Sequence, residues 1–305
     1  MNKRFIPLLF LLIFTLASCH AGSSSGKELT AADWFVPEET LTVWALSDTH
    51  IKNDKHMKPF RNAVEDVNDN VPDVDMAINA GDVADFPTVE SYDLYIKARD
   101  GSYIKEWYEI IGNHDYKTDK GNIFRKKLRG GGDGHYTVEK GNILFIFMSN
   151  EDRGKATVIT DETFEWWKDL VIKNQDKIIV VTAHAPLQGS GIMFSAIKER
   201  QITDSKRFRE VLKKYKVDLW LSGHLHIPQS LPDTIVTQEE LGGTTFIEIS
   251  SIRPDLMGIK EPESRVLTFA CGSDKLLVRS RNHERYFYTP GLDKVITLSK
   301  PYECD

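Results

Sequence analysis

The sequence has little cysteine, little proline and no excess of positive charge. Its 305 residues include 3 Cys and 12 Pro, which excludes a disulfide-dense scaffold and a proline-rich disordered chain. The 39 Lys and Arg residues against 45 Asp and Glu give a net charge of −6, so no general attraction to nucleic acid exists. We therefore expect no specific nucleic-acid binding. The 41% of hydrophobic residues are enough for a sizeable globular core, and we favour a single folded domain.

The one long apolar run lies at the N-terminus. Lys3 and Arg4 precede the apolar run Phe5–Ala17, which is too short for a typical transmembrane helix but typical of a secretory signal peptide. The run leads into a tetrapeptide at 16–19 that ends in Cys19 and resembles the lipobox of bacterial lipoproteins. We interpret residues 1–18 as a lipoprotein signal peptide, 19–37 as a lipidated N-terminus and linker, and 38–305 as the folded domain.

Lipidation of Cys19 predicts a location in the cell envelope. Two or three acyl chains hold a protein stably at a membrane surface, because each buried methylene contributes about 0.8 kcal/mol. We expect the folded domain to face the periplasm or the cell exterior. The other two cysteines, Cys271 and Cys304, could pair or remain thiols, and the sequence leaves both possibilities open.

Short apolar runs that end in polar clusters recur along the first three quarters of the chain. Five such runs predict buried strands: Leu41–Leu46, Met76–Ala80, Trp107–Ile111, Lys177–Thr182 and Val217–Leu221. Apolar residues at helical spacing predict helices between them at Lys58–Val67, Val89–Arg99, Thr163–Lys173 and Ser205–Lys214. The alternation indicates an α/β fold, in which ligand sites lie at the carboxyl ends of the strands. We expect the five polar clusters to converge there.

The last quarter of the chain contains strand-like segments without obvious helices. These segments are 244–249, 266–271, 276–279 and 295–298. They predict a second, more antiparallel sheet that packs on the first.

Histidine is concentrated in the polar clusters. Five of the nine histidines lie just beyond the ends of apolar runs. Asp48 and His50 are two residues apart, as are His224 and His226, and in extended backbone such side chains share a face. Each pair could therefore reach one metal ion.

The complete set of clusters resembles the calcineurin-like metallophosphoesterase family. The matching segments occur in order over residues 48–226: Asp48-Thr49-His50, Gly81-Asp82-Val83-Ala84-Asp85, Gly112-Asn113-His114-Asp115, His184 and Gly223-His224-Leu225-His226. The resemblance implies that residues 38–305 are a metallophosphoesterase domain, a four-layer α/β/β/α sandwich of two mixed sheets flanked by helices.

The resemblance also implies a ligand set for two divalent metal ions. Asp48, His50 and His226 would bind one ion. Asn113, His184 and His224 would bind the other, and Asp82 would bridge them. Nitrogen and hard oxygen ligands without thiolate suit Mn, Fe, Zn or Ni and do not distinguish among these metals.

The expected reaction is hydrolysis of a small phosphorylated substrate by a hydroxide that bridges the two metals. The family pattern gives His114 no ligand role, so His114 would assist the leaving oxygen by donating a proton or a hydrogen bond. Asp115 would orient the His114 imidazole, and a role in stabilising the loop is an equal alternative.

The sequence leaves the substrate class open. The motifs look most like the bacterial cyclic-nucleotide phosphodiesterase branch, which favours a phosphodiesterase, with a phosphomonoesterase or nucleotidase as the alternative. A secretory signal argues against an intracellular second messenger as substrate. A non-catalytic binding scaffold is a third reading, but all seven ligand positions and His114 carry the expected residue type, which favours catalysis. The oligomeric state is not predicted.

Overall fold

The structure, a computed structural model, describes residues 37–152, 154, 156–254 and 261–304, together with residues 32 and 35. The predicted signal peptide at 1–18 and nearly all of the segment 19–37 lie outside the described residues. Among the residues described, no helix combines the length and the apolar character needed to cross a membrane.

One sheet of the described chain is built on three parallel strands from the first third of the sequence. These are β1 (Thr40–Leu46), β2 (Met76–Asn79) and β3 (Glu106–Glu109). Strand β1 also pairs antiparallel with a C-terminal strand, and the full order is β12-β11-β10-β1-β2-β3 with β13 also on β11. The added strands are β10 (Glu263–Ala270), β11 (Lys275–Asn282), β12 (Phe287–Tyr288) and β13 (Lys294–Thr297).

The other sheet has the order β4-β5-β6-β7-β9-β8. Its strands are β4 (Tyr136–Lys140), β5 (Ile143–Met148), β6 (Ile178–Ala183), β7 (Leu219–Ser222), β8 (Ile235–Gln238) and β9 (Thr244–Glu248). Strands β5, β6, β7 and β9 run parallel, while β4 and β8 close the two edges in antiparallel pairing. Both sheets are therefore mixed.

The helices lie between the strands in sequence. They are α1 (Asp54–Asn70), α2 (Val89–Arg99), α3 (Asn113–Tyr116), α4 (Asn122–Leu128), α5 (Asp161–Lys173) and α6 (Ser205–Leu212), with short 3₁₀ turns at 198–200, 239–241 and 290–292. Several helices have an N-cap side chain that accepts a hydrogen bond from the first turn. Asn53 accepts from the His56 amide at α1, and Thr88 accepts from the Ser91 amide at α2. These caps satisfy amides that have no partner within the helix.

Three apolar cores define the layers. The core between the sheets joins residues of both, such as Val43 and Ile78 from one and Phe145 and Val180 from the other. A second core packs α1, α2 and α4 against the outer face of the first sheet, and a third packs α5 and α6 against the second sheet. The predicted four-layer α/β/β/α sandwich is confirmed.

The predicted grouping of the C-terminal strands is wrong. We expected them to form a sheet of their own, but β10 to β13 extend the first sheet and β9 joins the second. Strand β10 pairs with β1 from Thr40↔Ala270 to Ala45↔Arg265, and the Trp44 indole donates to Ser264 Oγ at 2.8 Å. An apolar run predicts that a strand is buried, but it does not predict which strands will pair with it.

Cys271 and Cys304 form a disulfide bond with their Cα atoms 5.5 Å apart. The bond ties the C-terminal segment to the end of β10, where Cys271 and Tyr302 also form an isolated bridge. Of the two possibilities that the sequence leaves open, the structure has the paired cysteines.

Candidate metal centre

The five polar clusters meet at the carboxyl ends of parallel strands from both sheets. Three follow β1, β2 and β3 of the first sheet, and two follow β6 and β7 of the second. All seven predicted ligands are buried, with relative exposures of 4% or less. The expected convergence therefore occurs, but across two facing sheets instead of along one.

The first group consists of Asp48, His50 and His226. The Nε2 atom of His226 lies 2.8 Å from Asp48 Oδ1 and 3.1 Å from His50 Nε2. The Nε2 atom of His50 is 3.5 Å from the same Asp48 oxygen. The other oxygen, Asp48 Oδ2, accepts from Ser47 Oγ at 2.6 Å and from the His224 amide at 2.9 Å. Two hydrogen bonds therefore hold Asp48 Oδ2, whereas Asp48 Oδ1 faces the two histidine rings.

The second group consists of Asp82, Asn113, His184 and His224. The Nε2 atom of His184 lies 3.1 Å from Asn113 Oδ1 and 3.2 Å from Asp82 Oδ2. Ring nitrogens of His184 and His224 and an oxygen of Asp82 all lie within 4.8 Å of one another. The residues that we expected to bind a second ion are thus together.

Asp82 stands between the two groups. Its Oδ2 atom is 3.2 Å from His184 Nε2 in one group and 3.6 Å from His50 Nε2 in the other. Its Oδ1 atom accepts from the His114 amide at 2.7 Å. A carboxylate in this position can contact an ion on either side.

Charge and burial shift the pKa values of these groups in opposite directions. Burial by itself would lower the pKa of His184, but the Asp82 carboxylate raises it to about 9. Burial opposes the same effect at His50, where Asp48, Asp85 and Asp82 raise the pKa to about 9. His224 is different, because burial and the neighbouring His184 lower its pKa to about 3. The carboxylates thus attract positive charge into a closed pocket.

The donor atoms fit a metal ion. His184 Nδ1 lies 2.8 Å from the Ala80 carbonyl oxygen, which only accepts, so Nδ1 carries a hydrogen. Nε2 faces oxygens of Asp82 and Asn113, and the raised pKa of the ring means that a proton is held at this position. A divalent ion would replace that proton, because imidazole nitrogen with hard oxygen is a common donor set for such ions.

Five of the predicted ligands have left-handed backbone. Asp48 and His50 have φ values of 55° and 44°, Asp82 has 52°, and His224 and His226 have 67° and 50°. We expected the pairs 48/50 and 224/226 to share a face in extended backbone. They do converge, but through a conformation that costs non-glycine residues energy and is found preferentially at functional sites. Amides of 48, 50 and 51 donate to carbonyls of 81, 82 and 83, which holds the first two clusters side by side.

Two glycines make the close approach possible. A Cβ atom at Gly112 would overlap the side chain and the amide of Asp82, and one at Gly223 would overlap Ser47 and Asp48. Each glycine therefore allows one cluster to pack directly on the carboxylate of another.

The structure places the Asp115 carboxylate in the loops, away from the His114 ring. Its Oδ1 accepts from the Ala84 amide and the Tyr92 hydroxyl, both at 2.9 Å. Its Oδ2 accepts from the amides of Val83 at 3.1 Å and Gly112 at 3.0 Å. These contacts fit the alternative that Asp115 stabilises the loops, since they join the second cluster to the third.

Asp85 is the carboxylate beside His114, and our sequence reasoning gave it no role. His114 Nδ1 lies 3.1 Å from the Asp85 carbonyl oxygen and 3.2 Å from Asp85 Oδ1. Arg253 Nη1 pairs with Asp85 Oδ1 at 3.3 Å. The signal available in the sequence was the position of Asp85, three residues after Asp82 in the second cluster.

The fold and the donor set together define the class of protein: a four-layer α/β protein with side chains that could hold metal ions at the carboxyl ends of its strands. A profile of the calcineurin-like phosphoesterase family matches residues 41–228, so the chain belongs to this family. The family is metal-dependent, and the protein is a hydrolase that acts on phosphoester bonds.

Similar proteins agree with this assignment. A probable glycerophosphodiester phosphodiesterase GpdQ of Arcobacter nitrofigilis is 28% identical over 202 residues, which cover 61% of this chain and 72% of the relative. Purple acid phosphatase PPD1 of yellow lupin has the same fold, with a TM-score of 0.63 at 14% identity. That match covers 85% of this chain and 54% of the lupin protein. GAP50, the anchor in the inner membrane complex of Plasmodium, aligns with a TM-score of 0.58 at 13% identity, over 87% of this chain and 91% of that chain.

Proposed function

We propose that the protein hydrolyses phosphodiesters with two divalent metal ions bound at this centre. The position of Asp82 between two groups of donors carries the proposal. One ion would be held by Asp48, His50 and His226, and the other by Asn113, His184 and His224, with Asp82 shared. Two ions bound there would supply positive charge for the phosphate and would activate water at neutral pH.

The protein's own contribution to the leaving group is His114. Its side chain is 26% exposed, whereas the ligand side chains of both groups are closed off, so it is accessible to a substrate. Asp85 offers two acceptor oxygens to Nδ1, which favours the tautomer or cation with a hydrogen there. Only the cation carries a hydrogen on Nε2 as well, and in that form Nε2 can give a proton or a hydrogen bond to the leaving oxygen.

One observation and one chemical argument favour diesters over monoesters. The related protein from Arcobacter nitrofigilis is described as a probable glycerophosphodiester phosphodiesterase. Hydrolysis of a diester also relies on help to its leaving group, which His114 would give.

A comparison of matched esters tests the proposal. The purified protein with added Mn²⁺ is assayed on a methyl aryl phosphodiester and on the aryl phosphomonoester of the same phenol at one pH. We expect kcat/KM for the diester to equal or exceed that for the monoester, and long nucleic acids to be poor substrates. A large preference for the monoester would favour the phosphatase or nucleotidase alternative, and no turnover with any metal would favour a binding scaffold.

We also propose that the enzyme works outside the cytoplasm as a lipoprotein anchored through Cys19. The support is the signal-like segment 1–18, the lipobox-like residues before Cys19, and the bond between Cys271 and Cys304. Disulfide bonds persist mainly in oxidising compartments such as the periplasm and the cell exterior. Substrates would then be small phosphorylated molecules of the envelope or the surroundings.

A further inference from the structure

An exposed aromatic ring flanked by two lysines lies beside the metal centre. Phe86, in the loop between β2 and α2, is 49% exposed. Lys52 Nζ lies 5.6 Å and Lys117 Nζ lies 5.8 Å from the centre of the Phe86 ring. Both ammonium groups lie over the ring, and the exposed half of the side chain offers apolar surface next to them.

Lys117 connects this surface to the proposed leaving-group residue. Its Nζ atom is 2.8 Å from His114 Nδ1. Among the residues described, no carboxylate lies within ion-pairing distance of Lys117 or Lys52. Arg253, by contrast, is paired with Asp85. Neither lysine is therefore held in an ion pair, although Asp82, Asp85 and Asp115 act on the Lys117 ammonium from a longer distance.

Lys117 and Asp85 compete for the same nitrogen of His114, Nδ1. His114 Nδ1 cannot accept from the Lys117 ammonium and also donate to the oxygens of Asp85, because one ring nitrogen takes one of these roles at a time. When Nδ1 donates to Asp85, the Lys117 ammonium needs another acceptor. An anionic group of the substrate beside His114 would supply it.

We propose that Phe86, Lys52 and Lys117 form the subsite for the leaving group, and that the subsite selects leaving groups that combine a flat apolar body with a negative charge. The inference rests on the proposed function, because a group that serves the leaving oxygen must lie next to the rest of the leaving group. The body of the leaving group lies on Phe86, and its carboxylate or phosphate pairs with the lysines. The substrate class is therefore a phosphodiester with an anionic leaving group.

Two methyl phosphodiesters that differ only in the charge of the leaving group test this subsite. One carries a nitrophenyl group and the other a carboxynitrophenyl group, and the readout is the ratio of their kcat/KM values in each variant. The intrinsic reactivity of each ester does not depend on which protein variant is assayed. A change in this ratio between variants therefore reflects a change in the protein. We expect the ratio of the carboxylated to the neutral ester to fall about fivefold in Lys117→Gln and in Lys52→Gln, the upper range for an exposed ion pair.

The matched control is Lys58→Gln. Lys58 is an exposed lysine of α1 with no contact to Phe86. Its ratio should equal that of the wild type, and the wild-type preference should weaken as salt is added. Equal ratios in the Lys52, Lys117 and Lys58 variants would overturn the proposed subsite.

Binding separates this inference from the proposed function. Methyl esters of benzylphosphonic acid and carboxybenzylphosphonic acid carry a P–C bond where the substrate has the P–O bond to its leaving group. They therefore cannot release the aromatic group, and their affinities for the metal-loaded protein can be measured by calorimetry. The carboxylate should strengthen binding to the wild type, and Lys117→Gln should remove about fivefold of that gain. If the gain is present without turnover of any ester, the subsite stands and the hydrolytic function is wrong. If turnover occurs without the gain, the function stands and the subsite is wrong.

Discussion

Replacing Asp115 tests whether this carboxylate supports the loops or orients His114. The buried carboxylate accepts from three backbone amides and one tyrosine hydroxyl. Asp115→Ala would leave the three amides without partners, at about 1–3 kcal/mol each. That cost is comparable with the whole free energy of unfolding of an ordinary protein, about 5–15 kcal/mol, so we expect this variant to fail to fold stably.

Asp115→Asn is the informative variant. The amide nitrogen is accommodated best at the Oδ1 position, because the Tyr92 hydroxyl there can turn and accept from it. Only the Ala84 amide then loses its acceptor, so the free energy of unfolding should fall by about 1–3 kcal/mol. Placing the nitrogen at the other position would leave two amides unpaired, those of Val83 and Gly112.

Urea unfolding of the metal-free protein measures this loss, and Tyr92→Phe is the matched control. Tyr92→Phe removes one hydrogen bond and leaves the three amides paired, so it should cost about 0.5–1.5 kcal/mol. The reasoning would be refuted if Asp115→Asn unfolded at the wild-type urea concentration and yet lost most of its kcat at full metal content. That result would return Asp115 to the role of orienting His114.

Three further predictions concern the metals, the location and the disulfide. Asp82→Asn should lose bound metal and turnover, whereas His114→Ala should keep the metal and lose mainly kcat. Elemental analysis measures the metal content and initial rates measure the activity. An Asp82→Asn variant that is active and fully loaded with metal would contradict the shared position of Asp82. Cys19→Ala should release the protein from membranes or block its maturation. Fractionation of cells grown with a labelled fatty acid detects both effects. If the protein stayed in the membrane fraction unchanged and carried no label, the lipobox interpretation would be wrong. Cys304→Ser should lower the free energy of unfolding by about 3–4 kcal/mol, since the bond closes a loop with a sequence separation of 33 residues. Added reductant should destabilise the wild type and leave Cys304→Ser unchanged in urea unfolding.

The sequence by itself determined the local structure and the chemistry of the centre. Apolar runs and amphipathic patterns that follow one another along the chain predict several elements to within a few residues, as in β1 and α6, because a segment that packs on a core needs apolar residues at the positions facing it. The residue types Asp, Asn and His beyond the strand ends specify metal chemistry wherever they come together, since donor atoms are a property of the side chain.

Only the tertiary structure decided which of these residues meet and which face the substrate. Strand β10 joins β1 across more than 200 residues, and the two sheets bring His226 to Asp48, contacts that no local pattern records. Asp85 lies beside His114 because the amides of Val83 and Ala84 donate to Asp115, which packs the second cluster on the third. Lys117 and Phe86 likewise come together through the loops that carry them. Local sequence fixes the conformation and the chemistry of a segment, whereas the distance between segments depends on the packing of the whole chain.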